Sequence, residues 1–193
     1  MASNYTLRLL ATLMPVIVVI SCAAPIRYQE AAPGKLEFAK NPSPLTNAVE
    51  VASAITAFES GTGPEKFVSE GKAHPITTGS VTSEALLAAA RLGLQNQGWL
   101  APSGDGARFV VHLALVRANT TQKGWTLTSE IALRYVVSDR ATKKTIFQNR
   151  LETKGEARIS DPILGYDSGR VAVESAMRRN IEFFLTSLAA LNF

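Results

Sequence analysis

Apolar and polar positions alternate most cleanly in the middle of the chain. From Arg108 to Ala118, Phe109, Val111, Leu113 and Leu115 fall on one side, the period of two expected of a strand with one buried face. Trp125 to Val137 repeats the pattern. Trp125, Leu127, Ile131, Leu133, Tyr135 and Val137 share one side, and Thr126, Thr128, Glu130 and Arg134 the other. The polar stretches 119–124 and 138–144 read as turns, and Thr145 to about Lys154 as a further strand. Upstream, Val49, Val51 and Ile55 make residues 48–58 a strand. The clean alternation predicts an antiparallel meander with one dry face and one wetter face.

Two segments carry the helical period instead. Leu86, Leu87, Ala90 and Leu94 form one stripe, with Ser80 or Thr82 placed to cap, Glu84 in the first turn and Gly98 at the end; acids suit the positive N-terminal end, and glycine suits a left-handed C-terminal residue. Val173, Met177, Ile181, Phe184, Leu188 and Leu191 form a longer stripe, with Asp167 or Ser168 as the cap. The order is β-α-β-β-β-α. Two helices with apolar stripes need one sheet face to cover, so the expected fold is α+β: a two-layer α/β sandwich, its four-stranded sheet mainly antiparallel and both helices on one face. The glycines and prolines from Gly61 to Gly79 predict a long loop.

Composition narrows the function classes. Of 193 residues, 46% are hydrophobic and 19% charged, with a net charge of +4, so the chain can bury a core and is no polyelectrolyte arm. One cysteine excludes an internal disulfide, a Cys-rich zinc site or a CxxC centre, and two histidines make a metal cluster an unfavoured expectation. No cofactor and no nucleic acid is expected.

The N-terminus changes the picture most. Arg8 is followed by Leu9 to Ile20, a run broken only by Thr12 and Pro15. It falls short of the roughly 20 apolar residues that span a bilayer but suits the apolar stretch of an export signal. Directly after it stands Val19-Ile20-Ser21-Cys22, which resembles the lipobox of bacterial lipoproteins. The resemblance implies a signal peptide over 1–21, cleavage between Ser21 and Cys22, and acylation of the Cys22 thiol. Ala23, where the inner-membrane retention signal favours Asp, implies the periplasmic face of the outer membrane. Residues 22–44, with Pro25, Pro33, Gly34, Pro42 and Pro44, read as a lipidated cysteine and flexible tether. The spacing of Ile26, Tyr28, Leu36 and Phe38 allows part of it to dock as an edge segment. Residues 45–193 form the single domain.

Candidate chemistry is sparse. His74 precedes Pro75 in the glycine-rich loop, and His112 sits mid-strand beside Val110 and Ala114. Ser80, His112 and Asp105 can be arranged into a triad on paper, but no G-x-S-x-G elbow activates a serine. Neither phosphate-loop motif is present. Asn119-Thr120-Thr121, a formal glycosylation acceptor, reads as part of a polar turn. Arg140, Lys143, Lys144, Arg150, Lys154 and Arg158 make the last turn and strand basic, suited to a solvated hairpin or to acidic headgroups.

The lipobox, the helix S-E-A-L-L-A-A-A-R-L-G-L, the strands F-V-V-H-L-A-L and S-E-I-A-L-R-Y-V-V, and the terminal A-M-R-R-N-I-E-F-F-L-T-S-L together resemble small envelope lipoproteins of Gram-negative bacteria. More distantly they are similar to YajG-like lipoproteins and the auxiliary lipoproteins of ABC-type lipid transporters. The resemblance supplies no catalytic residue. It implies a non-enzymatic binding or accessory module in envelope assembly or lipid transport, partnered by the membrane through Cys22 and by an envelope protein or lipid. Alternatives are an envelope hydrolase or acyltransferase, or a lipopolysaccharide-assembly lipoprotein, whose aromatic and proline-bearing segment after the cysteine is missing here. His112, Thr126, Thr128, Glu130 and Arg134, on the wetter strand side, are the expected partner-binding residues.

Overall fold

The longest alternation in the sequence becomes the longest hairpin. In a computed structural model describing residues 25–38, 43–56, 66–69, 72–75, 81–159 and 165–191, β4 (Phe109–Lys123) and β5 (Thr126–Asp139) pair antiparallel along their whole length, and β6 (Thr145–Arg158) pairs antiparallel with β5. The other long strand, β1 (Val49–Thr56), lies parallel to the first half of β4. Helices α2 (Ser83–Asn96) and α3 (Gly165–Ala189) cover one face. The chain is an α+β two-layer sandwich with an open sheet.

Three features differ from the expectation. Residues 61–79 are not all loop: β2 (Lys66–Ser69) and β3 (Lys72–Pro75) form a small antiparallel pair, and β2 joins the second half of β4 in parallel. The sheet is therefore six-stranded and mixed, four long strands plus this short extension. The turn expected over 119–124 is strand as far as Lys123. The chain reverses in two residues, Gly124 and Trp125, with Gly124 at φ +57°, where glycine escapes the Cβ penalty of a type II′ loop. Trp125 thereby leaves the buried row and stands 64% exposed.

The third difference concerns residues 25–38, which dock on the helix layer and not on a sheet edge. Around the short helix α1 (Tyr28–Ala31), Ile26, Ala31 and Ala32 are buried. Asn96 Nδ2 and Gln97 Nε2 donate to the carbonyls of Pro33 and Gly34, at 2.8 Å each. Phe38 stacks on Trp99 with ring centroids 5.0 Å apart. The Arg27 backbone N–H donates to Glu174 Oε1 at 2.7 Å, and that carboxylate also takes the buried Arg170 guanidinium.

The helices sit as their stripes demand. Thr82 Oγ1 accepts from the Ala85 N–H, capping α2, and Gly98 at φ +73° follows its end. In α3, Val173, Met177, Ile181, Phe184 and Leu188 are all buried. This helix starts at Gly165, ahead of the expected cap; the Ser168 hydroxyl donates to the Arg158 carbonyl at 3.0 Å and so ties the helix to the end of β6. Phe184 stacks on Tyr135 at 4.2 Å between centroids. Tyr135 donates to Asn180 Oδ1, whose amide donates to the Leu151 carbonyl and the Thr153 hydroxyl, and Thr153 donates to the Ala176 carbonyl. The Tyr135, Thr153 and Asn180 side chains are all buried, where an unpaired polar group would be costly. Burial also pushes the Tyr135 phenol well above its ordinary pKa. Gly155 is what lets α3 approach: a β-carbon there would stand 2.1 Å from the Ala172 carbonyl oxygen.

Candidate functional site

The face of the sheet away from the helices carries the side chains available to a partner. Thr126, Thr128, Glu130 and Arg134 alternate with buried neighbours along β5 and all belong to this face, as does exposed His112 of β4. They do not converge. His112 lies opposite Val136, ten residues along β5 from Thr126, or about 33 Å at strand rise. The five expected partner-binding residues share a face but not a site.

Charge on this face is laid out as paired rungs. Arg117 and Glu152 flank Ala132 from β4 and β6 and form an ion pair of 2.6 Å, while Arg150 meets the same carboxylate at 2.8 Å. Lys154 pairs with Glu130, and Arg140 with Glu50. Three of the six cations in the basic run along the last turn and β6, namely Arg140, Arg150 and Lys154, are thus matched by acids. Among the described residues Arg134 makes no ion pair, and it stands opposite Arg150. At the end of β5, Asp139 is held below the ordinary carboxylate range. The Thr142 backbone N–H is the main cause, aided by the Thr142 hydroxyl and Arg108 against the opposing effect of desolvation.

One part of the face is concave. Glu50, Asp105, Val110, His112, Ser138 and Arg140 line an open depression of about 410 Å³ where β1, β4 and β5 meet the turn before β4. The register of β1 shifts between Val51 and Ser53, setting Ser53 opposite His112. Ser53 Oγ and His112 Nδ1 are then 2.8 Å apart. A hydroxyl on an imidazole is the first element of a nucleophile–base pair, but an active pair also needs a third group to orient the base. Among the described residues Ser53 is the only hydrogen-bond partner of the His112 imidazole. Arg140, nearby, is occupied by Glu50 and by the Ala107 carbonyl at 2.9 Å. The arrangement suits hydrogen bonding to a polar ligand better than acyl transfer.

The structure redraws the triad drawn on paper. Asp105 and His112 do line one depression, yet the hydroxyl meeting His112 is Ser53, and Ser80 lies outside the described residues. Nothing local in the sequence marks Ser53, which reaches its place through a parallel pairing 59 residues away and an irregular register. The His74 backbone pairs with Phe67 across β2 and β3. Ser21 and Cys22 lie outside the described residues. Among the described residues no group of His, Cys, Asp and Glu has the geometry to hold a metal ion, and no helix is long and apolar enough to cross a membrane.

Neither a protein-family model nor a curated protein matches the chain. Solved structures do. Protein XCC0632 of Xanthomonas campestris, described under the family model DUF330, aligns with a TM-score of 0.51 at 9% identity over 82% of this chain and 93% of its own. A Caulobacter crescentus protein described as a candidate lipoprotein aligns at 0.48 and 12% identity over 77% and 92%. Lipoprotein GNA1162 of Neisseria meningitidis aligns at 0.36 and 10% identity over 72% and 99%. At these identities, what the likeness to the Xanthomonas protein establishes is a shared fold.

Proposed function

We propose that this chain is an outer-membrane-anchored periplasmic lipoprotein whose sandwich domain is a non-enzymatic binding or accessory module in envelope assembly or lipid transport. The observation that carries the reading is Val19-Ile20-Ser21-Cys22 placed directly behind an apolar run too short to span a bilayer. A single acyl chain holds a protein only reversibly, whereas the two or three implied by a lipobox make a stable anchor. Ala23 in place of Asp supports sorting to the outer membrane. The helix-free sheet face, with its paired charges and shallow depression, supports a binding role.

Fatty-acid labelling tests the anchor: wild type should take up label and Cys22→Ala should not, and equal label in both refutes the lipoprotein reading. Crosslinking in intact cells tests the module. Arg134→Glu or His112→Ala should weaken partner capture while leaving the fold intact; unchanged crosslinks would move the binding site off this face. A hydrolase is the second reading, favoured by the Ser53–His112 contact alone. It requires that Ser53→Ala and His112→Ala abolish turnover of an ester probe that the wild type cleaves.

A further inference from the structure

Of the chain's two tryptophans, Trp99 is buried and Trp125 is 64% exposed. Trp125 is not stranded on a loose loop. It is the second residue of the tight β4–β5 turn, and its carbonyl accepts the Ile159 N–H at 2.8 Å, so the third strand braces the tip. The adjacent rung is Lys123, Thr126 and Arg158, which puts two exposed cations beside the indole. The first acid along β6, Glu156, stands two rungs further in, opposite Thr128. An indole with an apolar body and an N–H donor, next to a rung carrying two exposed cations, matches the bilayer interface, where tryptophan concentrates and anionic headgroups attract Lys and Arg.

A second observation concerns where the chain enters the fold. Pro33 and Ile181 both lie 3.1 Å from the position a Gly93 β-carbon would take. The Glu30 carbonyl accepts from Arg178 Nε at 2.7 Å, and the Arg27 N–H meets Glu174. Followed back from Pro33 to Arg27, the chain therefore travels along α3 toward its N-terminus, about 10 Å at helical rise. That N-terminus is at the hairpin end, since Ser168 holds the carbonyl of Arg158. Only Ala23 and Ala24 separate Cys22 from Pro25, a reach of at most about 11 Å.

We propose that the β4–β5 tip is a lipid-contacting element. Trp125 seats in the headgroup region and Lys123 and Arg158 face anionic headgroups, so that the strands stand up from the membrane surface. The proposal rests on the lipoprotein reading for its second observation, not for its first. The orientation places the depression around His112 about 35 Å from the Trp125 tip, at the far end of the sheet.

The test uses the full acylated chain in vesicles of phosphatidylethanolamine and phosphatidylglycerol, with Trp125→Phe as the background that leaves Trp99 alone. Brominated lipid should remove roughly half or more of the Trp125 emission, and the emission should shift to the blue on vesicle binding, as expected of an interfacial indole. Emission that iodide quenches fully and bromolipid leaves untouched overturns the proposal. Emission that neither quencher reaches also overturns it, since the indole is then covered by protein. If Cys22 takes no fatty-acid label, the anchor reading fails by itself, and the tip is judged by flotation of the unacylated chain with the same vesicles. A several-fold loss of flotation in Trp125→Ala supports the lipid contact; no flotation, or flotation unchanged by the substitution, overturns it.

Discussion

The two faces of the sheet are built on opposite principles although they share the same strands. On the helix-covered face each inward position of β5, from Leu127 through Tyr135 to Val137, is sealed, and the polar groups admitted there are bonded, in a network around Asn180 and in the separate Thr120–Ser129 pair. On the other face, charges are arranged as rungs across β4, β5 and β6, their side chains partly exposed to water. The covered face derives its stability from close packing. The open face contributes little, because exposed ion pairs contribute about 0–1 kcal/mol each.

Substitutions on the two faces should therefore differ sharply. Phe184→Ala removes the ring stacked on Tyr135 and should cost about 3–5 kcal/mol, read as a shift of the denaturant midpoint; a midpoint that barely moves would mean that α3 does not sit on the sheet through this residue. Gly155→Ala should follow closely. Its added carbon would press on the Ala172 carbonyl and the Ala176 nitrogen, and lifting α3 to make room should cost about 3 kcal/mol. Arg134→Glu, on the open face, should change stability by less than about 0.5 kcal/mol; a large loss would show that this face is covered in the folded protein.

The smallest effect expected is a pH dependence at the end of β5. Because the Asp139 carboxyl is held below the ordinary carboxylate value of about 3.9, the folded state binds its proton less readily than the unfolded chain. Its contribution to stability is present above that value and is lost as pH falls through the lowered folded pKa. Comparing acid unfolding of wild type and Asp139→Asn below about pH 4 checks the sign: only the wild type should lose this increment, and identical acid profiles would refute it.

The covered face was the legible one in the sequence. Val173 to Leu188 at helical spacing and Phe109 to Leu115 at strand spacing announce themselves, because burial imposes a period on every residue it involves. Trp125 departs from the apolar row because a period of two does not carry through the two-residue turn that holds it. β2 and β3 leave no mark in the pattern because each is only four residues long between glycines and prolines, too short for any period to show. Docking of residues 25–38 depends on Asn96, Gln97, Glu174 and Arg178, partners that no local pattern reveals. The Ser53–His112 contact was hidden for a related reason, since it needs a parallel pairing and a register shift together.

The docked N-terminal stretch has a consequence for the order of folding. Its contacts on α3, Arg27 with Glu174 and Glu30 with Arg178, span 147 and 148 residues, nearly the length of the domain. During synthesis from the N-terminus, Arg27 and Glu30 have no α3 to dock on until the last helix is made, whereas Pro33, Gly34 and Leu36 can meet the end of α2 sooner. The segment from Arg27 to Glu30 is thus the latch that closes after the sandwich has assembled, and its protection against proteolysis should be among the last to appear in refolding.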